Sequence, residues 1–389
     1  MNIRNRLRTF KKEIEPQWKE SKFTLHQIRK SPLSVIGIII IVAFAIIAIL
    51  APTIAPPVGR DPFMVWKDGY FLTPQPPGSP VTRNTIAIRI GWTTHIFGTT
   101  GGEVGQVDIY YGCIWGTITA FRIGITVTVI SLILGVAVGL IAGYYGGAVD
   151  ELMMRFTDII FAFPGLILAM ALVMTMPPTL AIDAFFWIIL AIAFIAFTII
   201  GGRILKVSSG ISLLLGVAGS AIIGVIYIYA LNSPSLWTQI FPLNNLDKSL
   251  IALTIVGWPG DARLIRSEVL RVKQEDYIEA AKVSGCSDLR IILRHILPNA
   301  MYPILITASL GLGGIVLTAA ALSFLGIGSP LGYADWGQMI SFARSYVNIG
   351  MTYWWTFFIP GIFIFLFVLG WNLLGDAFRD ILDPTLRRR

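Results

Sequence analysis

The chain has 389 residues, of which 55% are hydrophobic and only 13% are charged, and its mean hydropathy is +0.73. An ordinary soluble domain carries roughly 25% charged residues, so this composition excludes a soluble globule and indicates an integral membrane protein. The formal net charge of +8 would suit a nucleic-acid partner, but the distribution of the basic residues along the chain argues against one.

Eight apolar segments approach or exceed the length that crosses a bilayer as a helix. In chain order they cover 33–51, 117–142, 157–176, 184–202, 211–231, 249–262, 300–325 and 356–374. The sixth is the weakest, because Arg263 ends it after about 14 residues. The first follows a basic segment that is too long for a secretory signal, so it is predicted to be a retained span.

The basic residues fix the predicted orientation of these spans. With a cytoplasmic N-terminus, the inside segments are 1–32, 143–156, 203–210, 263–299 and 375–389, and they hold 23 of the 30 Lys and Arg residues. Six lie outside, and Arg122 lies within the second span. This asymmetry follows the positive-inside rule. The sequence therefore predicts a multi-pass protein of the cytoplasmic membrane with both termini in the cytoplasm, and no nucleic acid is needed to explain its charge.

The segment between the first two spans is predicted to form an irregular extracellular lobe, because its eight prolines preclude long helices. Cys113 and Cys286 are predicted near opposite faces of the bilayer, which disfavours a disulfide. His26, His95 and His295 have no companion ligands at suitable spacing, so they are interpreted as solvated or interfacial imidazoles and no metal site is predicted.

A charged segment, QEDYIEAAKVSGCSDLRIILRHILPNA (274–300), separates two apolar spans. From Gln274 to Ser284 a short helix is predicted, because Glu275 and Glu279 share a face, Lys282 follows Glu279 at i+3, and Ile278 with Ala281 lines another side. Gly285 suits a chain reversal with positive φ, and a second helix is predicted from Ser287 to the next span. Small alanines in the first helix would let another surface approach its backbone. Spacing alone leaves two interpretations open, a docking surface and a solvated loop.

The same segment resembles the EAA motif of ATP-binding-cassette importer permeases, with Glu279, Ala280, Ala281, Gly285, His295 and Pro298 at the motif positions. Further matches follow in the family's order: SPLSVIGIIIIVAFAIIAILAPTIAP, GYYGGAVDELMMRFTDIIFAFPGLILAMALV, WPGDARLIRSEVL, ALSFLGIGSP, DWGQMI and WNLLGDAFRDILDP. Together they make the chain similar to the smaller permease subunit of the dipeptide, oligopeptide and nickel branch.

This resemblance implies an all-α polytopic membrane protein with the type I importer transmembrane fold, six family spans, two inserted spans and an external lobe. The implied regions are a basic N-terminal segment (1–32), a first span (33–51), the lobe (52–116), the permease domain (117–375) with inserted spans (184–231) and an EAA loop (263–299), and a cytoplasmic tail (376–389). Two features depart from the family. The lobe reads FGTTGGEVGQVD where a Gly-Thr-Asp and a Gly-Arg-Asp are usual, and about 70 residues separate the third and fourth family spans.

By the same resemblance, the helix after Glu275 would be a coupling helix seated in a groove of a cytoplasmic ATPase. The residues implied to carry this coupling are Asp276, Tyr277, Glu279, Ala280, Ala281, Gly285, His295 and Pro298. The implied partners are a homologous second permease, two ATP-binding-cassette ATPases, an extracellular substrate-binding protein and membrane lipid. The chain contains no G-x-x-x-x-G-K-[ST] loop, so it is predicted not to be an enzyme, to have no catalytic residues and to hold no cofactor. ATP and magnesium would be bound by the partner ATPases.

Three charged residues at the predicted spans, Arg122, Arg155 and Asp158, are candidates for a gate or a lumen lining, or are simply interfacial. Peptides are the cargo that the resemblance implies, with oligosaccharides, nickel or opines as alternatives. A channel or an ion-coupled carrier is disfavoured, because neither embedded acidic and His clusters nor inverted repeats are evident.

Overall fold

The structure is a computed structural model that describes residues 31–70, 73–101, 105–176, 244–344, 346 and 352–382. The predicted inserted spans at 184–202 and 211–231, and His26, lie outside the described residues. The fold is reported for the described part of the chain.

The described chain is mainly helical, which confirms the predicted all-α class. Its helices are α1 (Pro32–Ile54), α2 (Thr85–Arg89), α3 (Ile109–Tyr145), α4 (Gly147–Phe161), α5 (Gly165–Thr175), α6 (Asn245–Val272), α7 (Asp276–Val283), α8 (Asp288–Ile291), a π-helical segment (Ile292–Ile296), α9 (Leu297–Phe324), α10 (Trp336–Phe342) and α11 (Trp355–Leu382). Two short antiparallel strands, β1 (Ser79–Pro80) and β2 (Thr94–His95), lie in the lobe.

Four helices are long and apolar enough to cross a membrane, namely α1, α3, α9 and α11, and α4 with α5 would make a fifth if they are one broken span. The prediction of one continuous span over 157–176 was wrong. The chain bends by 85° between α4 and α5, where Pro164 precedes the first residue of α5. A proline disfavours helical geometry in the residue before it, which explains the break.

The sixth predicted span, 249–262, lies inside α6, and the helix itself continues past Arg263 to Val272. α6 has 28 residues and is therefore about 42 Å long, more than the roughly 30 Å hydrocarbon core of a bilayer. The Arg263 guanidinium forms a partly exposed ion pair with Asp158 of α4.

Glycines bring α3 and α6 together along most of their length. A Cβ atom at Gly139 would lie 2.5 Å from Cγ2 of Ile265, and one at Gly143 would lie 2.8 Å from Cβ of Val269. Small residues at every fourth position are the usual means of close packing between membrane helices. On the other side of the bundle, α1 packs on α11, where a Cβ atom at Gly37 would overlap Leu373.

The residues between α1 and α3, 55–108, form the lobe. The second predicted span, 117–142, lies in α3, which begins earlier, at Ile109. Asp108 caps α3 there by accepting a hydrogen bond from the Tyr111 N–H at 2.7 Å. The lobe is anchored to the helices by aromatic side chains, including Trp115, whose Nε1 donates to the Ala55 carbonyl at 2.9 Å. Its interior is continuous with the core between α3, α10 and α11.

Candidate functional site

The charged segment forms a helix, a reversal and a second helix, in the predicted order. α7 covers Asp276–Val283, and Gly285 follows it with φ of +75°. The Gly285 N–H donates to the Lys282 carbonyl at 3.0 Å and the Cys286 N–H donates to the Ala281 carbonyl at 3.1 Å. These two bonds form a Schellman motif, which requires a left-handed residue at Gly285. The prediction of a positive-φ turn there is confirmed.

One fully buried side chain, Ile278, fastens α7 to the bundle. It packs in a cluster with Ile265, Val269 and Val272 of α6 and with Ile291 of α8. Burial of such a side chain stabilises a structure by roughly 1.5–3 kcal/mol. α7 is therefore packed against the ends of the long helices. Ile278 was not among the predicted site residues.

The opposite side of α7 is open to solvent. Asp276, Tyr277, Glu279 and Ala280 are exposed, and Val283 is the most exposed large apolar residue of the described chain, at 90%. Leu289 is 64% exposed just beyond the turn. The motif residues Asp276, Tyr277, Glu279 and Ala280 therefore lie on one accessible face of α7, whereas Ala281 packs against the buried cluster. Val283 and Leu289 add exposed apolar area to the loop.

Polar contacts fix this loop to the end of α3. Tyr144 Oη donates a hydrogen bond to Asp288 at 2.7 Å, and Lys273 Nζ donates to the Tyr144 carbonyl at 2.6 Å. None of these three residues was predicted from the sequence, because Tyr144 and Asp288 are 144 positions apart and no local pattern connects them.

His295 and Pro298 do not lie on α7. They belong to the connection into α9, where the Leu297 N–H reaches back to the Ile292 carbonyl in a π-helical turn. Pro298 has no N–H and its ring excludes the usual helical bond to the carbonyl four residues earlier, which favours the wider turn. The structure thus separates the motif into a solvent-exposed face on α7 and a backbone feature at the start of α9.

The three candidate gate residues do not form one site. Arg122 pairs with Asp247 at 2.8 Å and so links α3 to the first turn of α6. Asp158 pairs with Arg263, which is about 24 Å further along α6 at 1.5 Å per residue. Arg155 pairs with Glu151 of its own helix at 2.7 Å, and both side chains are exposed.

A second ion pair between α4 and α6 was not predicted from the sequence. The Arg266 guanidinium binds the Asp150 carboxylate through two hydrogen bonds of 2.5 Å. Bidentate pairs of this kind fix orientation as well as distance. The pairs Asp150–Arg266 and Asp158–Arg263 hold the two ends of α4 against α6, so the two helices are positioned to move together.

One predicted environment was wrong. His95 is not solvated or interfacial but fully buried in the lobe, between Asp68 and Asp108. The signal that could have revealed it is weak, since the three residues are spread over 41 positions of the sequence. Among the described residues, no group of three or more His, Cys, Asp or Glu side chains is suited to hold a metal ion.

Comparisons with known proteins agree with this architecture. A family model described as "Binding-protein-dependent transport system inner membrane component" matches residues 209–388, and one described as "N-terminal TM domain of oligopeptide transport permease C" matches residues 17–74. The dipeptide transport system permease protein DppC of Alkalihalophilus pseudofirmus is 31% identical over 370 residues, covering 95% of this chain and 90% of the relative. A putative peptide transport system permease protein of Brucella suis is 30% identical and covers 94% and 97% of the two chains. The oligopeptide permease OppC of Bacillus subtilis is 29% identical and covers 95% and 90%.

Proposed function

The chain belongs to the family of binding-protein-dependent transport system inner membrane components, and from this premise we infer that it is a permease subunit of an ATP-driven peptide importer. The observation that supports a peptide cargo is the similarity to relatives named as dipeptide and oligopeptide permeases, which extends over at least 94% of this chain in the three relatives described. The several apolar helices agree with a protein embedded in a membrane.

A permease of this kind forms only half of a pore and hydrolyses no ATP. We therefore infer that a homologous permease completes the pore, that two cytoplasmic ATPases supply the energy and that an extracellular binding protein delivers the cargo. The absence of a phosphate-binding loop from the sequence supports this division of work. ATP and magnesium would act in the ATPase subunits.

The exposed face of α7 is the proposed contact with an ATPase. Asp276 and Glu279 lie in its first turn and give it a negative end, which suits a basic group on the partner. Val283 and Leu289 supply apolar area beside these charges. When the two ATPases close on ATP, they would bring two such helices together, which shifts the pore between inward and outward access.

The buried side of α7 is the proposed route of transmission. Ile278 transfers a movement of α7 to α6, and the contact between Tyr144 and Asp288 transfers it to α3. The paired carboxylates of α4 then follow α6 through Arg263 and Arg266. In this scheme Asp158 contributes by holding α4, whereas the contact between Arg122 and Asp247 holds the other end of α6.

The scheme places α7 and both termini in the cytoplasm. The two inserted spans predicted from the sequence, which lie outside the described residues, would preserve this orientation, whereas a single span would invert it. A reporter fused near Lys206 is expected on the cytoplasmic side, and an external reporter there would contradict the proposed topology.

The test of function is ATP hydrolysis by the complex reconstituted with its sister permease, ATPases and binding protein. Peptide mixtures are expected to stimulate hydrolysis and uptake, and stimulation by oligosaccharides alone would retain the mechanism but refute the peptide cargo. Glu279→Ala and Gly285→Pro are expected to abolish coupled uptake while the chain stays in the membrane. Asp380→Ala removes another exposed acidic side chain, outside the loop, and is the matched control. Uptake at the unsubstituted rate by both loop variants would refute the proposed contact.

A further inference from the structure

The lobe contains a buried network of three titratable groups that the transport scheme does not use. His95 Nδ1 lies 2.7 Å from Oδ2 of Asp108, and His95 Nε2 lies 3.3 Å from Oδ2 of Asp68. The imidazole and Asp108 are inaccessible to solvent, and Asp68 is nearly so. Trp66 stacks on the imidazole with ring centroids 5.2 Å apart. No water is needed to connect these groups, because they contact each other directly.

Counting donors and acceptors leaves two arrangements of the protons: a doubly protonated ring between two carboxylates, or a neutral ring that accepts a hydrogen bond from a protonated Asp108, whose pKa burial raises. An ionised carboxylate only accepts hydrogen bonds, and a neutral imidazole has one N–H and one lone pair. Between two ionised carboxylates, a neutral His95 would therefore point a lone pair at one of them. With both nitrogens protonated, the ring donates to both carboxylates. Asp68 is ionised, because it already accepts three backbone N–H bonds, from Thr82, Arg83 and Asn84, at 2.7–2.8 Å.

We propose that His95 is held as an imidazolium that positions the lobe on α3 by joining Asp68 to Asp108. This proposal goes beyond the transport function, since it assigns a role to a residue that contacts neither cargo nor ATPase. It makes His95 a positioning residue, with Asp68 and Asp108 as its two anchors.

The three residues belong to different parts of the lobe, which are also joined by an aromatic core that includes Trp66 and Trp92. The Asp68 carboxylate accepts hydrogen bonds from the three backbone N–H groups of the turn at 82–84. His95 lies in β2, and Asp108 caps the first turn of α3. A displacement of the turn would therefore act on the start of α3, which is the second membrane helix. Loss of the imidazolium proton would remove one of the two hydrogen bonds by which the ring joins these parts.

The electrostatic environment favours the charged ring. Burial lowers the pKa of His95, but the hydrogen bond and charge of Asp108, together with those of Asp68, outweigh burial and raise it above its ordinary value. These two carboxylates are the charged groups that act on the ring. Two phenols follow Asp108 in the chain. Tyr110 interacts electrostatically with the Asp108 carboxylate, whereas the Tyr111 hydroxyl donates a hydrogen bond to the Pro62 carbonyl.

Nitrogen NMR of the full chain in lipid nanodiscs tests the proposal directly. The chain has three histidines, so ¹⁵N-histidine labelling gives a simple spectrum, and the His95 signals are those that His95→Gln removes. At pH 6.5 an unperturbed imidazole is about half protonated. His95 is expected to be mostly doubly protonated there, with a titration midpoint above that of histidine in the unfolded chain. A neutral ring, with the shared proton on Asp108, would overturn the proposal.

Two variants separate charge from structure. Asp108→Asn keeps a capping residue at the start of α3 but removes one negative charge, so the titration midpoint of His95 is expected to fall. Asp61→Asn removes an exposed charge elsewhere in the lobe and is expected to leave the midpoint unchanged. An unchanged midpoint in Asp108→Asn would refute the assignment. The titration itself is made on the unsubstituted chain, and if His95→Gln fails to fold, substitution of His26 and His295 identifies the His95 signals by elimination.

The positioning role is measured on the transporter and rests on the proposed function. Stimulation of ATP hydrolysis by the loaded binding protein is expected to decline as pH rises through the midpoint found by NMR. Asp108→Asn is expected to move both transitions to lower pH together. A decline that does not follow the NMR midpoint would refute the positioning role. If the unsubstituted complex shows no stimulation by any peptide, the proposed function fails while the NMR result stands.

Discussion

Ile278→Ala is expected to loosen α7 while leaving its exposed face unchanged. Ile278 is fully buried, and truncation of a buried Ile, Leu or Met to Ala costs about 2–5 kcal/mol. α7 has only eight residues, too few for a stable isolated helix, so its helicity depends on this packing. The free energy of local opening is therefore expected to fall by at least about 2 kcal/mol, which corresponds to roughly a 30-fold increase in the population of the open state.

Hydrogen exchange of the full chain in nanodiscs measures this change. The amides of Ser284, Gly285 and Cys286 are bonded within the loop, and their exchange is expected to accelerate at least about 30-fold. Val283→Ala removes two methyl groups from a solvent-exposed site on the same helix and is expected to change exchange less than about twofold. If Ile278→Ala exchanged no faster than Val283→Ala, packing by Ile278 would not be what holds α7.

Three other predictions concern the bundle and the lobe. Gly139→Val is expected to separate α3 from α6 and to lower the midpoint of thermal unfolding in detergent, whereas a stable variant would refute close packing there. Asp150→Arg is expected to lose about 1–2 kcal/mol of stability, a value between those of exposed and buried pairs, and Arg266→Asp in the same chain is expected to restore much of it. The raised pKa of His95 stabilises the lobe fully below the unfolded pKa of about 6.5 and less as pH rises through the folded pKa. The lowered pKa of Asp68, which burial opposes and three backbone bonds produce, stabilises the lobe above about pH 4 and less as pH falls through its folded pKa. Proteolysis of the lobe is therefore expected to be slowest between about pH 4 and about pH 6.5, where both contributions are present.

The sequence was sufficient for features that depend on local pattern. Apolar length located α1, α3, α9 and α11, and helical spacing with one glycine located α7 and its reversal. These features could be predicted because each is determined by residues within a few turns of one another. The break before α5 could also be predicted from Pro164. The prediction of a continuous span followed the apolar length of the segment and not the proline.

Contacts between distant segments could not be predicted. Nothing in the sequence near His95 indicates that two carboxylates meet it, because Asp108 and Asp68 are 13 and 27 positions away and no local pattern connects them. The ion pair between Arg263 and Asp158 could not be predicted for the same reason, since the two residues are 105 positions apart. A charge in an apolar segment predicts either an end or a partner, and only the packed helices distinguish the two.

The charged loop shows why a recognised motif describes function incompletely. The exposed residues of the motif, such as Glu279, can change partner affinity but have few contacts through which to move the bundle. The residues that join α7 to the long helices, Ile278 and Asp288, are outside the group that the motif singled out. In the proposed scheme, substitution on the exposed face, as in Glu279→Ala, should therefore abolish coupled uptake by weakening docking, and an excess of ATPase subunits should restore part of the uptake. Substitution on the buried side should leave docking measurable but reduce transport at every ATPase concentration, because the helix would then move without α3 and α6.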